Sequence, residues 1–286
     1  MIAVSVIIPV RNGAATLASQ LNALQRQVTT LQWELIVVDN GSVDGTVEIV
    51  SAHLDRFASA RLIDGGSRRG AAFAKNVGAQ AALGDILLFC DADDEVDERW
   101  IDCLADEACH YDFVGGALDR RRLHTGHSDG PRVPVTQRLH RTADDQQFAV
   151  GANLGVTRSL FEELGGFDES FVGGNEDADF GLRAAALGSP VHFSPEAVVF
   201  YRERESMRES FTQYRRYGRT EPQLYRKHRS TMDRRRPVDG LHFWGRVVRV
   251  CGRSLRHPSD RLFAVRLLGR GVGRIEGSVR HCTIFW

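Results

Sequence analysis

Five consecutive apolar residues, Ile86-Leu87-Leu88-Phe89-Cys90, are followed at once by Asp91-Ala92-Asp93-Asp94. An apolar run of that length behind Gly84-Asp85 reads as a strand buried on both faces, as in a parallel sheet covered by helices. Three carboxylates then emerge together at the strand's carboxyl end, the edge at which open α/β sheets bind ligands. Crowded carboxylates repel one another unless a counter-ion joins them. Hard divalent cations such as Mg2+ or Mn2+ prefer oxygen ligands and bridge carboxylates to phosphates. The stretch therefore suggests a metal–nucleotide site. It can equally be read as the acidic start of a solvated helix, because Asp favours N-caps and Glu95, Asp97 and Glu98 follow.

The surrounding chain fits the sheet reading. Residues 1–115 alternate strand and helix signals: strands at Val4–Ile8, Trp33–Val38, Ala60–Ile63, the acidic strand itself and Phe113–Leu118. Between them lie helical patterns, such as Ala14–Gln27 with Leu17, Leu21 and Leu24 on one face. This order predicts an α/β fold with a mostly parallel, Rossmann-like sheet flanked by helices. Residues 119–146 are polar and Arg-rich, which predicts an irregular lid or a disordered stretch. A strand is expected from Phe148 to Val156, a helix at Arg158–Leu164, a Gly-rich loop, a helix from Glu176 to Leu187, and strands at Val191–Phe193 and Val198–Tyr201. A basic helix over Glu205–His228 and two further basic, apolar-striped segments complete the chain.

Charge divides the chain. Residues 1–200 hold 16 Lys+Arg and 29 Asp+Glu; residues 201–286 hold 21 and 8. A basic helical extension at 205–286 is expected beside an acidic domain at 1–204. Arg-rich amphipathic segments either lie on an anionic membrane surface or pack on the domain with Arg outward. Nucleic acid is not an expected partner, since no aromatic platform interleaves the basic residues. No run of 18 apolar residues exists, so no membrane span is expected, and the start MIAVSVIIPVRNG reads as a strand rather than a signal peptide. Five scattered cysteines predict free thiols and a cytoplasmic setting. Cys103, Cys109 and His110 lack a fourth ligand for zinc.

A dinucleotide-binding Rossmann domain and a P-loop are not expected. The first strand leads into Pro9-Val10-Arg11-Asn12-Gly13 rather than G-x-G-x-x-G, and no G-x-x-x-x-G-K-[ST] occurs. What remains are three acidic sites: Asp39 after the second strand; Asp91, Asp93 and Asp94; and Glu176, Asp177 and Asp179 behind Gly173-Gly174-Asn175.

Four blocks, SVIIPVRNGAATL, VVDNGSVDGT, RRGAAFAKNVGAQAALGDILLFCDADD and GGFDESFVGGNEDADFGLR, resemble in order and spacing the motifs of glycosyltransferase family 2. The match covers about residues 2–203. It implies a GT-A fold, with residues 1–115 as a nucleotide-binding half and 116–204 as an acceptor half, and an inverting sugar transferase. The resemblance implies that Asp39 accepts a hydrogen bond from the nucleotide base, that Pro9 and Arg11 line its pocket, and that Arg69 approaches base or phosphate. Asp91 would touch ribose or sugar, and Asp93, with Asp91, would hold a divalent cation, Mg2+ or Mn2+, on the diphosphate. Asp177 would be the general base and Glu176 would orient the acceptor. Asp179 reads as helix-start support.

Two departures stand out. Lys75 replaces the Arg usual in the family's A-R-N-x-G, and gives up the bidentate fork. Where a metal-binding His is common, this chain has Tyr201-Arg202-Glu203-Arg204, so Arg202 and Arg204 become candidates for the diphosphate, with surface Arg as the plainer reading. Asn153 either meets the donor sugar or satisfies backbone groups. The alternative to a transferase is a catalytically inactive nucleotide-sugar-binding protein of the same fold; a glycosidase using paired carboxylates fits less well.

Overall fold

In a computed structural model of the chain, the described residues are 2–123, 135–142, 144–204, 206–232 and 237–285. They divide into two compact units. The first runs through Leu123, continues to Val172, and resumes from Glu176 to Arg202; the second takes Gly173–Asn175 and the chain from Glu203 onward.

The first unit is built on strands β1 (Val4–Val10), β2 (Trp33–Asp39), β3 (Ala60–Asp64), β4 (Ile86–Cys90), β5 (Glu95–Val96), β6 (Phe113–Asp119), β9 (Asn153–Thr157) and β10 (His192–Phe200), with a separate hairpin of β7 (His140–Arg141) and β8 (Gln147–Phe148). Its helices are α1 (Leu17–Gln25), α2 (Thr46–Leu54), α3 (Ala71–Ala81), α4 (Trp100–Ala108), α5 (Arg158–Glu163) and α6 (Glu176–Ala186). The eight-stranded sheet has the order β3-β2-β1-β4-β9-β6-β10-β5. Strands β3, β2, β1 and β4 are parallel, as are β6 and β10; β9 runs antiparallel between β4 and β6, and β5 runs antiparallel on β10.

Both sheet faces are covered, which is why the strands read as unbroken apolar runs. On one side Val4, Val6, Ile8, Leu35, Val37 and Leu88 meet Leu17, Leu21 and Leu24 of α1. On the other Ile7, Ile36, Val38, Leu87 and Phe89 meet Ala72, Ala74 and Ala79 of α3. Each fully buried Leu, Ile or Phe contributes roughly 1.5–3 kcal/mol relative to exposure. The register pairs Val10 with Asp39 and Ile7 with Phe89, so the ends of β1, β2 and β4 reach one edge together.

Several boundaries differ from the sequence expectation. The last two predicted strands are one strand, β10, whose register against β6 shifts between Ser194 and Val198; a bulge absorbs Pro195-Glu196-Ala197 without ending the pairing. The strand expected over 148–156 splits into β8 and β9. Of the stretch 119–146, residues 124–134 and 143 lie outside the described residues. The remainder is not wholly irregular: Thr136 pairs with Leu118 through its amide (3.0 Å) and hydroxyl (2.8 Å), and β7 joins β8.

The second unit contains α7 (Met207–Lys227), α8 (Pro237–Ser254) and α9 (Arg261–Arg280), with a short 3-10 turn at Pro258–Asp260. Ser206 caps α7 by accepting the Glu209 amide. Helices α7 and α9 approach closely along a glycine stripe: a Cβ at Gly269, Gly273 or Gly277 would overlap the carbonyl oxygens of Phe211, Arg215 and Arg219 in turn. The four-residue spacing puts all three on one helical face. Glu221, buried in this contact, pairs with Arg270 and with Arg274 (2.6 Å), which keeps its carboxyl below the ordinary range despite burial.

Candidate active site

The carboxylate cluster forms where β4 ends. Asp91, Asp93 and Asp94 bring ligand oxygens within 4.8 Å of one another; among the described residues it is the one group of this kind. Helix α1 holds the loop in place. Gln20 donates to the Asp91 carbonyl (3.1 Å) and accepts from the Val96 amide (3.0 Å), and Gln27 bridges Asp97 and Ile101 in the same manner. Arg202 closes the other side. Its amide donates to Asp94 Oδ1 (2.7 Å), its Nε to the Asp93 carbonyl (2.9 Å), and its guanidinium stands 3.8 Å from Glu95.

The electrostatics suit a cation. Burial, then the Asp93 and Asp91 charges, push the Asp94 carboxyl well above its ordinary value, although the Arg202 amide and guanidinium oppose this. Asp94 Oδ2 is buried and has no hydrogen-bond partner. An orphaned carboxylate oxygen beside two further carboxylates is a donor set for a hard divalent ion. The residues present therefore fit Mg2+ or Mn2+, with Asp93, Asp91 and Asp94 as its ligands.

The third acidic site meets the second through Lys75. This ammonium is buried and lies 3.3 Å from Glu176 Oε1. Burial alone would lower its pKa, but Glu176, Asp91 and Asp177 outweigh that and raise it, so Lys75 stays charged. A Cβ at Gly151 would overlap Lys75 Nζ, so a side chain there would have to displace the ammonium. Asp177, in the first turn of α6, accepts from the Gly151 amide at Oδ2 (3.0 Å) and from the Ala178 amide at Oδ1 (2.8 Å). Burial first, and the Glu176 charge second, push its carboxyl up to about 6 against the pull of Lys75 and both amides. Asp91 is likewise pushed up to about 6, by burial first; Lys75 pulls down while Asp93, Glu176 and Asp177 push up. Asp91 thus senses both Glu176 and Asp177, so residues 86 positions apart in sequence share one field.

Asp39 sits in the neighbouring loop and receives the Ser42 amide (3.3 and 3.2 Å). That loop joins the one after β1 through Asn12, whose amide donates to Ser42 Oγ (2.8 Å) and whose Oδ1 accepts from Val43 (2.9 Å). Pro9 is half-buried at the end of β1; Arg11 and Arg69 are exposed. Asp179 is fully buried and pairs with Arg183 (2.8 Å), which also binds the carbonyls of Leu164 and Gly166, so it braces α6.

Two candidate positions remain. Asn153 is in the core: Trp100 donates to its Oδ1 (2.8 Å), and its Nδ2 donates to the Ala117 and Ala197 carbonyls (both 2.8 Å). Of its two readings the structure favours the backbone one. Arg204 belongs to the second unit. Conversely, Gln20 takes part in the site without having been singled out, and Asp94 and Lys75, noted in the sequence, had been given no role of their own.

Residues 5–165, more than half of the chain, match the model of glycosyl transferase family 2, and residues 86–255 match glycosyl transferase family group 2. Glycosyltransferase AglE of Haloferax volcanii is 28% identical over 199 residues, covering 68% of this chain and 65% of that protein. The pre-mycofactocin glycosyltransferase of Mycobacterium tuberculosis is 27% identical over 288 residues, covering 95% and 57%. The chain therefore spans less than two thirds of the length of these relatives. Mannosyltransferase PcManGT from Pyrobaculum calidifontis, solved in complex with GDP-Man and Mn2+, superposes with a TM-score of 0.61 at 18% identity over 95% of this chain and 86% of that one. The likeness shows a common fold, of GT-A type.

Proposed function

The chain belongs to glycosyl transferase family 2, and from that premise we propose that it is an inverting glycosyltransferase. It moves a sugar from a nucleoside-diphosphate-sugar donor to an acceptor hydroxyl, with Asp177 as general base. The observation that carries this reading is the meeting of Asp91 and Asp177 around the buried Lys75. A base for the acceptor and an anchor for the donor then lie in one pocket of charge.

Each Asp177 oxygen uses one lone pair on a backbone amide and keeps another for the acceptor proton. With a pKa raised toward neutrality, Asp177 is a better proton acceptor than an ordinary aspartate. Glu176 and Lys75 hold that pKa and position. Asp39 takes the nucleotide base, with Pro9, Arg11 and Arg69 around it, and Arg202 fixes the loop that carries Asp93. When bound, Mg2+ or Mn2+ would offset the charge gathering on the departing nucleoside diphosphate. The complex of the Pyrobaculum relative with GDP-Man and Mn2+ supports this pairing of donor and ion.

Thermal shift with a panel of nucleotide sugars and Mn2+ tests the donor reading. A ligand at 100 times its Kd stabilises by about 2.7 kcal/mol. A rise in Tm with at least one nucleotide sugar is expected, and no rise with any would overturn it. Release of nucleoside diphosphate that depends on acceptor separates a transferase from an inactive binding protein.

The basic extension supports weak attachment to anionic membranes. One face of α8 packs Val247 and Val250 on Ala264 and Leu267 of α9. Its outer face exposes Leu241 and Val248 at 72% and 71%, with Val238 and Trp244 beside them, and Leu255 follows in the turn at 83%. The seven-residue steps line these up, and exposed Arg246, Arg249, Arg253 and Arg256 flank them. No helix among the described residues is long and apolar enough to cross a membrane. Co-sedimentation with phosphatidylserine vesicles is expected to weaken with salt and with Leu241→Ser/Val248→Ser. Equal binding to neutral vesicles would count against it.

A further inference from the structure

The second unit contains an open cleft of ≈590 Å3. Helix α7 forms its long wall. Arg208, Thr212 and Arg216 follow at four-residue steps, and Gln213 and Tyr217 form the adjoining row; Gly173 and Arg204 complete the lining. The neighbouring row of α7, Phe211, Arg215 and Arg219, packs its backbone on the glycine stripe of α9, which braces the wall. Asn175 fastens the loop to the same helix, donating to the Tyr217 carbonyl (3.2 Å) and to Thr220 Oγ1 (2.7 Å).

We infer that this cleft binds a phosphate or diphosphate ester, and that the ester is carried by the acceptor. The second half of that inference rests on the transferase reading above. Three guanidinium groups line the cleft against one carboxylate, Glu209. Among the described residues neither Arg208 nor Arg216 forms an ion pair, and both are exposed to the cleft's solvent. Converging like charges call for a counter-ion. Guanidinium forks match phosphate oxygens bidentately, which lysine does not. The Gln213 amide adds a polar edge by donating to the Tyr217 hydroxyl (3.0 Å). The capped start of α7 adds the positive end of a helix dipole. The volume is that of an ordinary small-molecule site.

The donor's own diphosphate is served by the opposite chemistry, carboxylates with a cation, in the first unit. A cleft of arginines therefore implies a second phosphorylated ligand, and a transferase has one other substrate.

Calorimetric titration of inorganic pyrophosphate into the full chain, with EDTA present, tests the cleft without donor or turnover. Arg208→Gln/Arg216→Gln is expected to weaken binding by at least about tenfold, since the charge-assisted bonds to phosphate oxygens are lost. Thr212→Glu, an exposed position, is expected to weaken it as well, and Asp93→Ala to leave it unchanged. Decyl diphosphate binding more tightly than pyrophosphate would identify a lipid-linked ester; equal affinity would identify a water-soluble one. No pyrophosphate binding, or equal affinity in the double variant, overturns the cleft reading. Cleft binding without sugar transfer to any acceptor, phosphorylated or not, would instead sink the transferase reading, and transfer only to unphosphorylated acceptors would sink the acceptor assignment. Transfer with unchanged acceptor KM in the double variant would sink the acceptor assignment alone.

Discussion

Asp177→Asn is expected to keep donor and metal binding and to lose turnover by ~10²–10⁴-fold, the contribution of a positioned general base. That range corresponds to about 2.7–5.5 kcal/mol of transition-state stabilisation. The amide cannot take a proton as the new bond forms. It also cannot accept from both the Gly151 and Ala178 amides, so one of those bonds is lost and the variant's thermal stability must be measured beside its rate. Asp179→Asn is expected to act differently: its partner is Arg183 in the body of α6, so its cost falls on stability rather than on the chemical step. In the wild type, kcat/KM is expected to fall as pH drops through about 6, because Asp177 must be ionised to act and burial with Glu176 has raised its pKa to that region. The product is expected to have inverted anomeric configuration, as a single displacement requires. Near-normal kcat in Asp177→Asn, or a retained product, would falsify the mechanism.

The sheet was legible because its signals are local. Strands β1, β2 and β4 are short, mainly apolar runs, and their residues of alternating parity feed two covered faces. The acidic sites were legible for the same reason, since each follows a strand or opens a helix. What was not legible depends on partners far apart in sequence. Lys75 and Glu176 are 101 residues apart, so nothing local in Ala74-Lys75-Asn76 announces a buried ion pair. Asn153 looks like a ligand-binding amide until Trp100, Ala117 and Ala197 are found around it. Gln20 did carry a signal. It lies on the same helical face as Leu17, Leu21 and Leu24, where a polar group must find a buried partner, and the partner is the Asp91 loop. The single strand β10 was misread because Pro195 suggests an end to pairing; a bulge accommodates it.

Asp93→Ala is expected to abolish metal-dependent donor binding. Losing even an outer partner of a metal ligand costs 10–100-fold in affinity, so losing a ligand should cost more than ~100-fold. Calorimetry with a nucleoside diphosphate, with and without Mn2+, measures this, and equal affinity in the two conditions would end the metal reading. The wild type without metal offers a second, independent readout. Asp91 and Asp94 have folded-state pKa values above those of the unfolded chain, Asp91 at about 6. Stability contributed by such groups is fully present below the unfolded pKa, near 3.8, and is lost as pH rises through the folded one. The metal-free protein should therefore lose Tm as pH rises from about 4 through about 6 on account of Asp91, and further as pH rises through the raised value of Asp94. Added Mn2+ should restore it increasingly as pH rises, because a cation binds the ionised forms and competes with their protons. The same Mn2+ titration on Asp93→Ala should show little recovery. Recovery equal to wild type would place the ion elsewhere on the protein.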